Sequence, residues 1–381
     1  MARNICIDGL FLTRPYAWCG INRYLVNLLR GMGNISSDPD DPKMSILVPS
    51  DRDHEMYGIG RRSGFELVSC PAMRLRKFWR LGLLFRTVNT IKTDALFLPS
   101  PAPLHFKHFR LAITVHDIIP LLFPDHFRSL SGRVLHHSYI ASLKRADLIF
   151  TDSEHSKNDL ISARGIPPER VVVAPLGFDS ELFNSIPPEP SISKHILNRY
   201  GISKPYLLHV GTIEPRKNLV RLAHAYRSIV RRQKQSPFQL VLCGRMGWGF
   251  EELLRLLSDP DLQSHVVMTG PVSDQELAVL YKNSTGCAMP SLYEGFGLPL
   301  LEAMASGVPV ISSDRSCLPE IGGDAPIYFD PESVEGISEA MERLLEDSGQ
   351  REVMVQRGLE RAKLFSWEDC ARKTLDALRD L

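Results

Sequence analysis

The sequence predicts an α/β protein of two doubly wound, Rossmann-like domains facing across a cleft, finished by a C-terminal helix. Three observations predict it. Short apolar strands alternate with amphipathic helices along the whole chain, the pattern of parallel sheets covered on both faces. The alternation breaks once, at Ile186-Pro-Pro-Glu-Pro190, a Pro-rich polar segment of the kind that separates domains. A chain of 381 residues is long enough for two such domains. The predicted divisions are 1–190, 191–365 and a helical segment 366–381 placed to pack back on the first domain.

Composition excludes several classes. Apolar content of 44% with 23% charged residues is that of an ordinary soluble globular protein, and a net charge of +1 gives no global pull toward nucleic acid. Seven scattered cysteines, odd in number and without a C-x-x-C pair, point to reduced thiols in a cytosolic setting, not to a disulfide frame or a zinc site. Asp8 interrupts the first apolar run, which therefore reads as a strand and not as a signal peptide. No apolar run approaches the length of a membrane span.

Ile5-Cys-Ile7 is the first buried strand. A loop from Asp8-Gly9 then runs to Gly20-Ile21-Asn22, where Leu25, Leu28 and Leu29 mark a helix. A glycine between first strand and first helix, here Gly20, is where such sheets hold phosphates, though it also serves as a simple turn. Strands follow at 45–49, 66–69, 95–99 and 111–115. The intervening Met73–Lys92 carries Arg74, Arg76, Lys77, Arg80, Arg86 and Lys92, no acid, and Phe78 and Trp79 among leucines. It is either a surface helix of the first domain or an amphipathic helix for an anionic membrane. The strand 111–115 leads into His116-Asp117, at the carboxyl edge where ligands sit. A neutral imidazole there can hydrogen-bond or move a proton near pH 7; the alternative is a satisfied loop histidine beside a capping aspartate. Helices 131–144 and 154–163 alternate with strands 148–151 and 171–174, and Asp152-Ser153 reads as the cap of the second helix.

The second half restarts the series. Tyr206–Val210 is a strand, and Gly211-Thr-Ile-Glu214-Pro-Arg216-Lys217-Asn218 opens into a helix. Two cations at a helix N-terminus oppose its dipole, so either a diphosphate or Glu214 offsets them. Strands at 239–243, 265–269, 285–289 and 308–312 follow, then helices near 334–345, 350–365 and 367–381. Gly244 and Val272 lie in turns at strand ends that either line a nucleobase pocket or are only turns.

The densest signal is Ser291-Leu-Tyr-Glu294-Gly-Phe-Gly297-Leu-Pro299-Leu-Leu-Glu302-Ala-Met-Ala-Ser-Gly307. Pro299 suits the first turn of a helix and Gly307 the position past its end. Glu302 stands among apolar residues, where a carboxylate needs partners: sugar hydroxyls, or an arginine from elsewhere. Gly295 and Gly297 leave the backbone bare to a ligand. Two carboxylates, a bare backbone and a helix N-terminus together suit a nucleotide sugar. Asp-Pro-Asp at 38–40 and 259–261 lies in turn-like surroundings and is not read as a metal motif.

These motifs, Gly211–Asn218, Glu294-x7-Glu302 and Thr114-Val-His116-Asp117-Ile-Ile-Pro120, resemble those of the GT-B glycosyltransferases of family 4, the large retaining group. The phrasing is most similar to bacterial enzymes that build surface polysaccharide such as O-antigen, many of which use GDP-mannose. The resemblance implies roles. Arg216 and Lys217 would grip the diphosphate, Glu294 would hold sugar hydroxyls, and His116 would contact the donor sugar near the reacting carbon. Gly295, Phe296, Gly297 and Leu298 would line the donor site with backbone amides, and Glu302 would bind ribose. Gly20 would form a first-domain wall, with Asp117 and Asn22 orienting donor or acceptor. Relatives often carry glycine where this chain has Asn22; asparagine tolerates a left-handed backbone.

The implied function is retaining transfer of a hexosyl group, mannose from GDP-mannose, to a lipid-linked saccharide at the inner membrane face by a cytoplasmic, peripheral enzyme. No cofactor is expected, and no metal, because Arg216 and Lys217 take its role. A UDP-sugar donor, a nucleotide-sugar 2-epimerase and a binding-only protein of the same fold are the competing readings.

Overall fold

The structure is a computed structural model describing residues 4–12, 20–35, 42–49, 58, 65–70, 88, 90–91, 93–102, 109–122, 130–203, 205–233 and 238–381. The chain forms two compact units: Met1–Gly177 with Ser366–Leu381, and Phe178–Phe365.

The first unit holds strands β1 (Asn4–Asp8), β2 (Lys43–Pro49), β3 (Glu66–Cys70), β4 (Ala95–Leu98), β5 (Arg110–Val115), β6 (Leu148–Thr151) and β7 (Val171–Val173). Their spatial order is β3-β2-β1-β4-β5-β6-β7, parallel throughout. Ile5, Ile7, Phe97 and Ile113 are wholly buried, as expected where helices cover both faces. Chain order reverses direction between β1 and β4, the crevice where open α/β sheets bind ligands. Register matters here: Val115 pairs with Thr151, so the next residues, His116 and Asp152, leave the sheet side by side.

The second unit holds β8 (Tyr206–Val210), β9 (Gln239–Cys243), β10 (Val266–Gly270), β11 (Gly286–Met289), β12 (Val310–Ser313) and β13 (Ile327–Phe329), ordered β10-β9-β8-β11-β12-β13 and parallel. Helix Leu219–Gln233 buries Leu222, Tyr226 and Ile229 against Leu240 and Leu242, and Val334–Glu346 adds Ile337, Met341 and Leu344. The reversal falls between β8 and β11, so the loops leaving these two strands flank it.

Three expectations change. The units divide after Gly177, not at 190, because 178–189 packs into the second unit. Phe183 is fully buried with its ring edge-on to Tyr281 at 5.8 Å, and Lys282 donates to Asn184 at 3.0 Å. Pro190 begins the helix Pro190–Arg199, at a position where a missing N–H costs nothing. The strand Ile327–Phe329, too short to show a period, was not legible.

The last helix, Trp367–Arg379, is capped by Ser366 and lies on the helix Gly20–Asn34 within the first unit. Glycines allow the approach. A Cβ on Gly31 would stand 2.6 Å from the Trp367 carbonyl oxygen, and one on Gly177 would stand 2.1 Å from the Trp367 nitrogen. Among the described residues no helix is long and apolar enough to cross a membrane. The basic stretch Met73–Lys92 and Asp-Pro-Asp at 38–40 fall almost wholly outside the described residues.

Candidate active site

In the second unit the loops after β8 and β11 are laced together. Pro215–Lys217 is a 3-10 turn, closed by Asn218 in the left-handed region at φ 59°. Asparagine is one of the few side chains that tolerates this. Its amide repays the strain by donating to the Pro290 carbonyl at 3.0 Å and the Pro331 carbonyl at 2.7 Å. The Leu292 N–H donates to the Arg216 carbonyl at 2.8 Å. From the other side, Ser316 Oγ accepts the Glu294 N–H at 3.0 Å and the Cys317 thiol donates to the Glu294 carbonyl at 3.2 Å.

This framework converges four charged side chains. Arg216 Nη1 donates to Glu294 Oε2 at 2.8 Å and to the Tyr293 carbonyl at 3.1 Å, while its Nε meets Glu214 Oε1 at 2.5 Å. Lys217 Nζ donates to Glu294 Oε1, which also accepts from Ser291 Oγ at 2.6 Å. Burial would raise the Glu294 pKa, but the Lys217 ammonium and Arg216 guanidinium overcome it and hold the carboxyl at about 2. Lys217, also buried, is lowered by desolvation against the pull of Glu294. A carboxylate has roughly four acceptor directions, and three are used here, which leaves room for one further donor.

His209 lies beneath this cluster on β8. Its Nδ1 is 3.0 Å from the Ala288 carbonyl and so carries the proton, leaving Nε2 a buried acceptor without a hydrogen-bond partner. Burial lowers its pKa to about 4. The space a Cβ on Gly211 would take lies 3.4 Å from Lys217 Nζ and 3.5 Å from His209 Nε2, so a side chain there would press on both groups. No periodicity singles out His209, because it occupies an ordinary inward strand position.

The remaining predicted donor residues are placed as follows. Glu302 is 1% exposed on the helix Leu298–Ala305, with Tyr281 Oη 3.4 Å from its Oε2. Gly297 caps that helix at φ 85°, and a Cβ there would stand 2.8 Å from Leu318 Cδ2. Gly295 and Phe296 are buried, the Phe296 ring edge-on to Phe365 at 5.8 Å, so Phe296 anchors the loop through its side chain. Leu298 and Val272 are half-buried. Gly244, at φ 149°, is a packing requirement: its Cβ would stand 2.0 Å from the Gly211 carbonyl oxygen. Asp259 and Asp261 pair with Arg227 at 2.9 Å and Arg231 at 2.6 Å on the surface.

In the first unit, His116 Nδ1 lies 2.8 Å from Asp152 Oδ2 and Nε2 lies 3.1 Å from the Pro99 carbonyl. The Tyr24 ring stands edge-on at 4.5 Å, its hydroxyl 2.9 Å from Thr114 Oγ1. Burial would lower the His116 pKa, but the Asp152 carboxylate outweighs it and the net shift is upward. The imidazole is therefore engaged at both nitrogens and not free. Asp152 is also not the expected cap. Ser153 alone caps the helix Glu154–Arg164, accepting from Ser156 N–H, and the Asp152 side chain turns to His116. Asp117 accepts the Ile119 N–H at 3.0 Å, and its carbonyl accepts from Tyr139 Oη at 2.7 Å. Asn22 is helical and not left-handed; it is buried and donates to the Phe11 carbonyl at 2.6 Å, bracing the loop after β1. Gly20 is exposed, with nothing within 4 Å of the space a Cβ would fill.

Family models match both halves of the chain: "Glycosyltransferase Family 4" over residues 18–182 and "Glycosyl transferases group 1" over residues 196–361. O-antigen chain mannosyltransferase B of Escherichia coli is 36% identical over 271 residues, covering 71% of this chain and 70% of that protein. The serotype-specific mannosyltransferase WbdA of Escherichia coli is 31% identical over 70% of this chain, which spans only 33% of WbdA. Among solved structures, sucrose-phosphate synthase of Thermosynechococcus elongatus superposes with TM-score 0.74 at 19% identity, covering 99% and 98% of the two chains. Anabaena HepE, solved with UDP and glucose, gives 0.73 at 18% identity over 100% of both chains. The last two likenesses carry the fold alone. By its family matches, its relatives and its two parallel sheets, the chain belongs to glycosyltransferase family 4 and is a glycosyltransferase of the GT-B fold.

Proposed function

We propose that the chain transfers mannose, with retention, from GDP-mannose to a lipid-linked saccharide in the synthesis of a surface polysaccharide such as O-antigen. The observation that carries the reading is the convergence of Arg216 and Lys217 with Glu294 at the switch point of the second sheet. The names of the O-antigen relatives support mannose as the sugar.

The chemistry follows from charge. Breaking the bond from sugar carbon to phosphate oxygen leaves an oxocarbenium-like sugar and a diphosphate gaining negative charge. Cations already fixed where that charge develops stabilise it without reorganising, and one such donor is worth about 3 kcal/mol. Glu294 holds both cations in place before the donor arrives, and its remaining acceptor direction suits a sugar hydroxyl. The helix beginning at Leu298 adds N–H groups for the donor, and Glu302 serves the ribose. Arg216 and Lys217 supply the positive charge that a divalent ion would otherwise provide. The acceptor hydroxyl gives its proton to the leaving phosphate oxygen as it attacks the same face.

Ligand-observed NMR with GDP-mannose, GDP, UDP-glucose and UDP-N-acetylglucosamine tests the donor. Saturation transfer to GDP-mannose, lost on adding GDP, is expected. Preference for a uridine donor would overturn the mannose assignment while leaving the enzyme class intact.

A further inference from the structure

At the carboxyl edge of the first sheet, three strand ends meet on one imidazole. His116 follows β5, Asp152 follows β6, and Pro99 follows β4. Both ring nitrogens are in hydrogen bonds, Nδ1 at 2.8 Å to a carboxylate oxygen and Nε2 at 3.1 Å to a backbone carbonyl. A carbonyl oxygen can only accept, so Nε2 carries a proton. An ionised carboxylate can only accept, so Nδ1 carries one as well. A ring protonated at both nitrogens offers no lone pair to a substrate.

We propose that Asp152 is a positioning residue that keeps His116 proton-loaded and donor-only, so that His116 serves the transfer as a fixed hydrogen-bond donor and not as its general base. The proposal rests on the assigned glycosyl transfer and adds to it which groups the imidazole can recognise. Nε2–H can exchange the Pro99 carbonyl for another acceptor, such as a hydroxyl or phosphate oxygen of the donor. It cannot take the proton of an acceptor hydroxyl.

The surroundings agree. Asp152 is 2% exposed and cannot be neutralised by solvent, so its charge is best met by a proton on His116. Both partners are raised from their ordinary values, burial acting first in each; for His116 it opposes the rise, and Asp152 overcomes it. The other groups facing the pair do not compete for that proton. Asp117 adds a further negative charge. The Tyr24 phenol and the Cys370 thiol are both held neutral by burial. The Tyr24 ring edge fixes the imidazole plane at 78°.

The experiment reads the imidazole directly. Histidine labelled with nitrogen-15 is observed by long-range proton–nitrogen correlation in the full chain, with His116 assigned from His116→Gln. At pH 7 both His116 nitrogens are expected to show protonated shifts, in the wild type without donor. In Asp152→Asn the amide can donate to Nδ1, and the ring should become neutral, its midpoint falling by about one to three pH units, as for loss of an adjacent charge. A bare nitrogen in the wild type, or an unchanged midpoint in Asp152→Asn, would overturn the proposal. Kinetics supply a readout that a merely structural role would not move. The wild-type kcat/KM should fall as pH rises through the His116 midpoint, and the falling limb should shift to lower pH in Asp152→Asn. A limb that rises at that midpoint would make His116 a base and end the idea. If Asp152→Asn does not fold, the wild-type spectrum still decides. If the donor proves not to be GDP-mannose, the nitrogen shifts are unaffected, so the two readings fail separately.

Discussion

Replacing Glu294 by glutamine tests whether the convergent charges bind each other as tightly as their geometry implies. The carboxyl is displaced from an ordinary 4.5 to about 2. At about 1.4 kcal/mol per tenfold change in proton affinity, the displacement is worth about 3 kcal/mol at neutral pH. The sign is that of a depressed acid. The folded protein keeps the carboxylate charged down to about pH 2, while the unfolded chain takes up the proton near pH 4.5. The stabilisation is therefore complete above pH 4.5 and is lost as pH falls toward 2. Glu294→Gln lacks it at every pH and leaves Lys217 and Arg216 short of a counter-charge, a change that costs about 3–5 kcal/mol in buried pairs. Urea unfolding followed by circular dichroism, with amide exchange on β8 and β11 to localise the loss, should show Glu294→Gln less stable by that amount at pH 7. The gap should close between pH 4.5 and 2. Equal stability at pH 7 to within about 1 kcal/mol, or a gap independent of pH, would refute the reasoning.

Other consequences are separable. Arg216→Ala should weaken GDP binding, by calorimetry, by about 1.5–3 kcal/mol, the worth of a hydrogen bond to a charged group, and lower kcat by about a hundredfold or more. His209 is neutral in the fold at a pKa of about 4 and ordinary when unfolded, so it costs stability progressively as pH drops from 6.5 toward 4. His209→Phe should flatten that part of the urea-midpoint profile. Gly20→Ala meets open space at a helix start and should leave stability within about 0.5 kcal/mol. A fall in its turnover at unchanged melting temperature would mark Gly20 as bordering a ligand, and full activity would remove it from the site. Gly244→Ala forces a Cβ onto the Gly211 carbonyl and should destabilise the second unit by about 2 kcal/mol or more, seen as a lowered urea midpoint.

Periodicity and turn chemistry carry most of the architecture. Strand and helix spacing locates twelve of the thirteen strands among the described residues, and Pro299 and Gly307 bracket the helix that carries Glu302. What escaped depends on partners far away in sequence. Asp152 and Ser153 are both good caps, and nothing local says which one caps. Only the register of β5 on β6 brings Asp152 beside His116, 36 residues earlier. Glu294 was visible as an acid on a glycine-rich turn, but its partners lie 77 and 78 residues upstream. Pro190 reads as a breaker because proline at a helix start and proline in a linker look the same from sequence. Asn22 suggests tolerance of an unusual backbone, whereas the fold uses its side-chain amide.

The docking of Trp367–Arg379 on Gly20–Asn34 bears on how the protein is made. Synthesis delivers all of 178–365 before the last piece of the first unit emerges. The later unit, contiguous in sequence, can therefore finish folding first, while the earlier one waits with a flank of its opening helix bare. A chain ending just short of Ser366 would hold a complete second unit beside an unfinished first, a natural client for chaperones.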